Sequence, residues 1–484
     1  MRWQETLPVG DGFGWDGVNY AAWAKDFNKC VFVDHVEDFY VQRVLPSAIV
    51  HYGTRAVLWP FYSHDQSFRF LNESKNLLLA FGIYNLVLLL LAVYVWGLIA
   101  DHLEFSERRK WFGFCFLFVN YATLKLNFYT PVATDTTAFL LGLLMFYFFL
   151  AGKPMGLFAV MIVGSFTWPT LPFTAWLLLV LPRPSEPLPE GALQSTPGLR
   201  RFALFLSLFG CALVAGIYAY LSRDILRGWT QAGMVRINFG LLYSSMAAVL
   251  VYIFWGFRPV FVDKRLFDVR HILGEIRWRW VAAGALVILG SRLVVHQLAG
   301  PVPSQWTFKD FLIYIFASAL TEPFIFVVGH VVYYGPVILL LMMFWKPFCE
   351  TIKPYGVGFR LFVAMNLLLS LCPQSRYQVP VVGAFVIILV KVLDEEWLSR
   401  WSLSTWLLLS LFYSKVWYTF NTSPMNPDGT MAVFQTFPLQ HFFMNSGPWM
   451  SHSMYLVQGS VVLVTGAVLF SLGVSGKMRG RAAH

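Results

Sequence analysis

The sequence predicts an all-α fold, a polytopic transmembrane helical bundle of about 11 to 13 crossings, each needing roughly 20 apolar residues. Three observations carry this. Apolar residues make up 57% of the 484 and charged ones only 13%, about half the roughly 25% of a soluble domain, and the mean hydropathy is +0.59. Apolar runs long enough to cross a bilayer recur along the chain. These runs are continuous, whereas the strands of a membrane β-barrel alternate polar and apolar residues.

The net charge of +10 does not point to nucleic acid, because the basic residues fall in short loops between apolar runs. That is the positive-inside pattern, and it reports orientation. Cys30, Cys115, Cys211, Cys349 and Cys372 are scattered, with neither zinc spacing nor a disulfide framework. Met1–Phe32 lacks a basic start followed by an apolar core, so no signal peptide is expected.

The elements follow in order. Residues 1–75 form an acidic, amphipathic region ahead of the first clear span at 76–100. Within it, Val44–Tyr62 carries His51 and Arg55 among apolar residues and reads as a helix lying in the interface. Arg108, Arg109 and Lys110 mark a cytoplasmic loop. Residues 111–128 cross outward, 129–135 turn outside and 133–150 return. The run 155–181 is broken at Gly164, Pro169 and Pro172; it predicts a hairpin whose tip, 165–170, lines a cavity, since broken backbone at membrane depth must be buried in protein or wet. This closes a first transmembrane group, 76–181. The Pro-rich stretch 182–200 is a cytoplasmic linker.

The second transmembrane group is 201–475. Residues 201–221 cross outward and 237–257 return to a loop rich in Arg and Lys, 258–279, the strongest cytoplasmic marker. Residues 280–298 exit, with Arg292 and His296 near their outer end, and 299–321 lie in the interface. Residues 323–345 return to a loop with Lys346, Lys353 and Arg360, 361–371 exit, and 373–380 turn outside. Residues 381–393 re-enter and 403–416 exit. The loop 418–453 has no Lys or Arg, as an outer loop should, and 454–473 re-enter to the cytoplasmic tail 476–484.

On this ladder the chemistry-bearing polar residues gather on one face. Asp11, Asp16, Asp34, Asp38, Arg43, Asp135, Arg376, Tyr377 and His441 all fall on the non-cytoplasmic side. A helix through WDGVNY would put Asp16 and Tyr20 on one face, and one through DFYVQRVLP would align Asp38 with Gln42 or Arg43. Each feature has a plainer reading too: Asp135 as a helix N-cap, Arg376 as a snorkelling interface residue, the acidic stretch as a solvated loop. Lys125, Glu322, His330 and Lys415 have no role in the reading. Asn421-Thr422-Ser423 is a sequon on the outer loop, meaningful only in a eukaryotic lumen.

With these pieces in order, the chain resembles the C-type (GT-C) glycosyltransferases, polytopic enzymes that take a sugar from a polyprenyl-phosphate donor on the outer or luminal face. WDGVNY resembles the Asp-x-x-x-Tyr segment of their first outer loop and DFYVQRVLP the Arg-containing segment after it. YTPVATDTTAF resembles the turn whose Asp opens the next crossing, and SRYQVP the late Arg-Tyr motif. The chain departs from the family in having no crossing ahead of Asp11.

The resemblance implies a sugar, mannose- or arabinose-like, passing to a hydroxyl of a glycan, glycolipid or protein. Asp16 would be the base and Asp38 the second choice. Arg43 and Arg376 would hold the lipid phosphate, which a guanidinium matches in a bidentate way. Asp34 and Asp135 would hold sugar hydroxyls, and Tyr20, Tyr40 and Tyr377 would line the site. No cofactor is assigned; Mg or Mn is left open at Asp34, Glu37 and Asp38, whose spacing is not ligand-specific. The expected setting is a bacterial inner membrane with a periplasmic site and a cytoplasmic C-terminus. The alternatives are a transporter or flippase of lipid-linked sugars, for which repeats and midplane charges are missing, and an O-antigen-type polymerase, for which the late loop lacks arginines.

Overall fold

The computed structural model describes residues 12–60 except 15 and 36, 69–184, 197–300 except 263, 307–393, 397–398, 402–418, 447 and 450–481, with the side chains of 264 and 472–481 left out. Asp11, most of the linker, the sequon, His441 and the basic tail side chains lie outside that set. Among the described residues every regular element is helical.

Four short helices open the chain: α1 (Gly17–Lys25), α2 (Phe27–Phe32), α3 (Asp38–Val41) and α4 (Leu45–Leu58). Asp26 divides the first two by accepting the Lys29 backbone N–H on its side chain at 3.2 Å, as an N-cap does. α4 buries Val50 and His51 and exposes Tyr52, Val57 and Trp59, the two-faced pattern expected of 44–62. His51 fastens it to α1. Its Nδ1–H donates to the Ala24 carbonyl at 2.9 Å, and Nε2 accepts from Arg55 Nη1 at 3.0 Å, which fixes a neutral tautomer.

The bundle follows with α5 (Ser74–His102), α6 (Glu107–Phe118), α7 (Asp135–Leu150), α8 (Pro154–Gly164), α9 (Leu171–Val180), α10 (Pro197–Tyr220), α11 (Arg223–Gln231), α12 (Leu242–Val260), α13 (Val269–Glu275) and α14 (Trp278–Ala299). It is completed by α15 (Phe308–Ser318), α16 (Ile325–Tyr334), α17 (Val337–Met343), α18 (Trp345–Thr351), α19 (Gly356–Leu369), α20 (Val379–Val392), α21 (Leu403–Ser414) and α22 (His452–Arg481).

Among the described residues six helical stretches are long and apolar enough to cross a membrane: 74–102, 197–220, 278–299, 345–369, 375–392 and 452–471. Five shorter apolar helices accompany them. Burial separates centre from rim, for 345–369 and 375–392 are each 72% buried and the other four only 11–28%. The rim helices turn Leu90, Phe209, Leu289 and Leu463 outward, as lipid-facing surfaces do.

Two expected crossings are interrupted and a third begins earlier than expected. Residues 111–128 break after Phe118, where Asn120 and Thr123 take over freed backbone groups: Thr123 Oγ1 donates to Phe118 O at 2.7 Å and Asn120 Oδ1 accepts Thr123 N–H at 3.1 Å. Such local bonds compete with the helix, and the chain resumes as a π-turn at Ala122–Leu126. The run 323–345 breaks at Gly335, which sits at φ +84 before Pro336, a conformation glycine adopts without strain. The run 361–371 starts earlier than expected, so Arg360 lies inside α19, 1% exposed, rather than in a loop.

The central contact joins α7 and α20, which run side by side in one direction. Gly142 lies so close to the Pro380 carbonyl that a Cβ could not be accommodated, and Gly383 lies against the tip of the Leu143 side chain, which a Cβ would displace. In lipid, where apolar burial gives helices little reason to associate, small residues that let backbones approach are the main device.

Polar segments then divide between the two ends of the bundle. At one end the basic segments meet: Arg109 Nη2 donates to Leu393 O at 3.0 Å, Arg265 Nη2 to Lys353 O at 2.9 Å, and Lys391 Nζ to Tyr355 OH at 3.1 Å. At the other, Asn85 of α5 donates to Asn127 O and Pro131 O, both at 2.8 Å, fixing the turn that leads to Asp135. Leu393 follows α20 and Pro131 precedes α7, so these two groups of contacts lie at opposite ends of that helix pair.

Two outcomes are expected. Gly142→Ala should destabilise the protein by about 1–3 kcal/mol through overpacking, while Gly97→Ala, with open space at its Cβ, should be neutral; equal melting temperatures for the two would contradict the close approach. Burial, reinforced by the Arg55 charge, holds the His51 pKa below its ordinary value, against the Ala24 carbonyl that raises it. The unfolded chain therefore takes this proton first, so the contribution is complete above about pH 6.5 and declines as pH falls below it. Thermal melts from pH 7.5 to 5.5 should show a fall in melting temperature that is smaller in His51→Gln.

Candidate functional site

The Asp135 end holds a site built from three distant stretches of chain. α1 begins at Asp16, whose carbonyl accepts the Tyr20 backbone N–H at 3.4 Å, so the two side chains stand one helical turn apart as their spacing required. Gly17 presses against Val132, which seats this turn beside the one preceding Asp135. Tyr20 is 1% exposed and meets Trp23 and Tyr40 edge to face at 5.6 and 6.2 Å. Tyr40 OH donates to Asp16 Oδ1 at 3.4 Å, a long bond. Burial, and then the Asp16 charge, push the Tyr40 hydroxyl up to about 12. Tyr20 is raised chiefly by burial, against the lowering effect of Arg43. Both phenols thus stay protonated and able to donate.

Arg43 follows the short helix α3, and its position depends on the broken α8–α9 hairpin. Leu45 N–H donates to Phe166 O at 3.0 Å, and the guanidinium lies over Phe39 at 4.3 Å and Trp168 at 5.0 Å. The hairpin tip 165–170, expected to line a cavity, supplies this aromatic wall. Arg43 is 4% exposed and its Nε has no hydrogen-bond partner. Among the described residues no carboxylate lies within ion-pair distance of it.

Arg376 and Asp135 pair through both forks. Nε reaches Oδ1 at 2.9 Å and Nη2 reaches Oδ2 at 2.6 Å, with the Asp135 side chain 4% and the Arg376 side chain 25% exposed. Arg376 lies in the 3-10 turn Ser375–Gln378 that leads into α20. That turn hangs on α16: His330 Nδ1 meets Ser375 Oγ at 2.9 Å, His330 Nε2 donates to Ser370 O at 2.8 Å, and Tyr334 OH donates to Ser375 O at 2.7 Å. His330, which the sequence left without a role, positions the turn.

The three stretches form one electrostatic unit. The charges of Arg43, Asp16 and Arg376 act on Tyr20 and on Tyr377, and the Asp16 charge acts on Arg376. Seven of the nine expected site residues are therefore together: Asp16, Tyr20, Tyr40, Arg43, Asp135, Arg376 and Tyr377. Two stand apart. Asp34 is exposed and 3.9 Å from Lys29 Nζ, and Asp38 opens α3, where a carboxylate suits the positive helix end, without joining the cluster's hydrogen bonds. Among the described residues no three His, Cys, Asp or Glu side chains converge.

Sequence reasoning missed several neighbours. Asp135 also lines a narrow chamber with Asn120, Thr123, Thr136 and Tyr333, where Thr136 Oγ1 and Tyr333 OH are buried without partners. Its volume of about 20 Å3 is too small for a sugar ring and suits water. At the same end Glu322, 4% exposed, accepts from His452 Nδ1 at 2.9 Å and Asn238 Nδ2 at 3.3 Å. Isolated polar residues in apolar runs were the only signal for either group.

Removing one partner of the buried pair should leave the other charge stranded. Arg376→Ala and Asp135→Ala should each cost about 3 kcal/mol of stability, with a double mutant well below the sum of the two. Arg376→Lys should recover little, since an ammonium cannot reproduce the two-pronged contact. Additive losses in the double-mutant cycle would show that the pair does not act as a unit. Compared with known proteins, the chain matches no family model, no curated protein and no solved structure.

Proposed function

We propose that the protein is an integral-membrane glycosyltransferase of the C-type, moving a mannose- or arabinose-like sugar from a polyprenyl-phosphate donor to a hydroxyl acceptor. One observation carries the reading: among the described residues no carboxylate pairs with Arg43, a buried guanidinium held over two aromatic rings whose charge acts, with those of Asp16 and Arg376, on Tyr20 and Tyr377. A buried cation without a counter-ion is costly, and a phosphate would satisfy it. A carboxylate within the same electrostatic cluster supplies the base that hydroxyl transfer needs.

In this reaction the acceptor oxygen attacks the anomeric carbon, and the bond from that carbon to the phosphate oxygen breaks. Asp16 takes the hydroxyl proton. Arg43 and the open edge of Arg376 hold the departing lipid phosphate, whose growing charge they stabilise. Tyr40 orients Asp16, and Tyr20 and Tyr377 donate or stack at the walls. Asp16 is preferred to Asp38 because it belongs to the cluster. Asp135, occupied by Arg376, holds the cation in place.

The same reading places the Asp135 end on the non-cytoplasmic face, periplasmic in a bacterial inner membrane, with the basic end and the C-terminus inside. The shorter apolar helices α7, α8–α9, α16–α17 and α21 then complete the crossings as broken spans.

The test is transfer of radiolabelled sugar from a panel of polyprenyl-phosphate sugars by purified protein. Wild type should consume one donor. Asp16→Asn should lower turnover by roughly 10²–10⁴-fold with donor binding retained, and Arg43→Ala should weaken donor binding instead. If no donor reacts while labelled lipid crosses proteoliposomes, the protein is a transporter.

A further inference from the structure

The basic end of the bundle carries a short helix, α13, that has no part in the chemistry above. The segment between α12 and α14 is pinned on either side of it. Arg265, 6% exposed, donates from Nη2 to Lys353 O at 2.9 Å, and the Arg277 backbone N–H donates to Val180 O at 3.0 Å. Asp268 caps the helix by accepting the His271 backbone N–H at 3.1 Å, and His271 Nε2 lies 3.0 Å from Glu275 Oε1 one turn on. The helix VRHILGE divides cleanly by face. At 3.6 residues per turn Val269, Ile272 and Leu273 share about 100° of arc, while Arg270, His271, Gly274 and Glu275 take the other side. No residue of α13 is buried, and Val269 and Leu273 are 65% and 49% exposed. So short a helix is marginal in water without packing, so its apolar face calls for a cover.

Two observations identify that cover. The first is continuity with the lipid face. α14, one of the membrane-length helices, starts at the exposed Trp278 and carries Leu286, Leu289 and Leu293 outward on the same side at helical spacing. Trp is the residue that marks the level where hydrocarbon gives way to headgroups, and α13 ends three residues before it. The second is charge. Arg258, Arg270, Arg277 and Arg279 are all exposed, whereas the two described carboxylates of this segment, Asp268 and Glu275, are engaged at the cap and with His271. Phe202 of α10 meets Phe267 edge to face at 4.5 Å, which brings the exposed Arg201 beside it to the same patch. An amphipathic helix ringed by arginines at headgroup level suits an anionic lipid surface.

We propose that α13 lies in the headgroup layer and recognises anionic phospholipid, with Val269, Ile272 and Leu273 against the upper acyl carbons and Arg258, Arg270, Arg277 and Arg279 on the surrounding phosphodiesters. A guanidinium matches two phosphate oxygens at once, and a lipid without a choline keeps its negative charge available to it. Anionic lipid thereby fastens the segment that joins α12 to α14. The inference needs only a bundle seated in a bilayer and is independent of sugar transfer.

The experiment is amide hydrogen exchange, read by mass spectrometry, on the full chain in nanodiscs of phosphatidylcholine with or without phosphatidylglycerol. Amides of 269–276 should exchange at least tenfold more slowly when phosphatidylglycerol is present, and high salt should remove most of that difference. Arg270→Gln combined with Arg277→Gln should return exchange most of the way to the phosphatidylcholine rate, since each basic residue at an anionic surface is worth about fivefold. Leu273→Ser should speed exchange in both lipids. Peptides of α7 and α20 should not change in any variant, which separates lost docking from lost fold; Arg270→Gln with Arg279→Gln replaces the first pair if those peptides do change. Equal protection in the two lipids overturns anionic recognition. Protection that survives both Leu273→Ser and the arginine pair overturns the proposal, because another segment of the chain then covers the helix.

Discussion

The Arg376–Asp135 pair is the interaction on which the rest of the structure depends. Each partner stands at the start of one of the two most intimately packed helices, α7 and α20, and Gly142 and Gly383 bring those backbones together. Aligned in one direction, the two helices present their positive ends side by side, where a carboxylate is favoured and a guanidinium is not. Asp135 answers both helix ends and Arg376 at once. The pair adds little net stability against an apolar replacement, since desolvation offsets its attraction. What it fixes is the register between the two helices, and with it the level at which one guanidinium edge stays accessible.

Around that pair the N-terminal helices act as a cap whose attachments are few and specific. Gly17 lies on Val132, Leu45 binds Phe166, His35 Nδ1 meets Leu298 O at 2.9 Å, and His51 locks α4 to α1. These contacts put Asp16 and Arg43 beside Arg376 although more than 300 residues separate them along the chain. The broken α8–α9 hairpin contributes through Trp168, and its backbone is tolerated because the cap buries it. A segment that looks like a defect in an apolar run is what positions Arg43.

The division of labour within the bundle follows from its solvent. Rim helices turn broad apolar faces outward. The central helices pack against protein on most sides, and their contacts include the Arg376–Asp135 pair and stacked aromatic rings.

The sequence by itself determined the all-helical class and the long apolar stretches 74–102, 197–220, 278–299 and 452–471, because hydrocarbon demands long apolar helices, whereas it read much of 345–369 as a loop. It also marked Asp16, Tyr20, Arg43, Asp135 and Arg376, since acids and arginines are scarce in such a chain and each scarce one stands out. It could not foresee the interruptions at Asn120 and Gly335 or the burial of Arg360, where a few side-chain bonds or one glycine outweigh the hydropathy of a run. Nor could it separate Asp34 and Asp38 from the acids that join the cluster. Local spacing says which side chains share a helical turn, whereas proximity across hundreds of residues is set by how close two backbones can come. Only the tertiary structure, through Gly142, Gly383 and the contact of Gly17 with Val132, decided that.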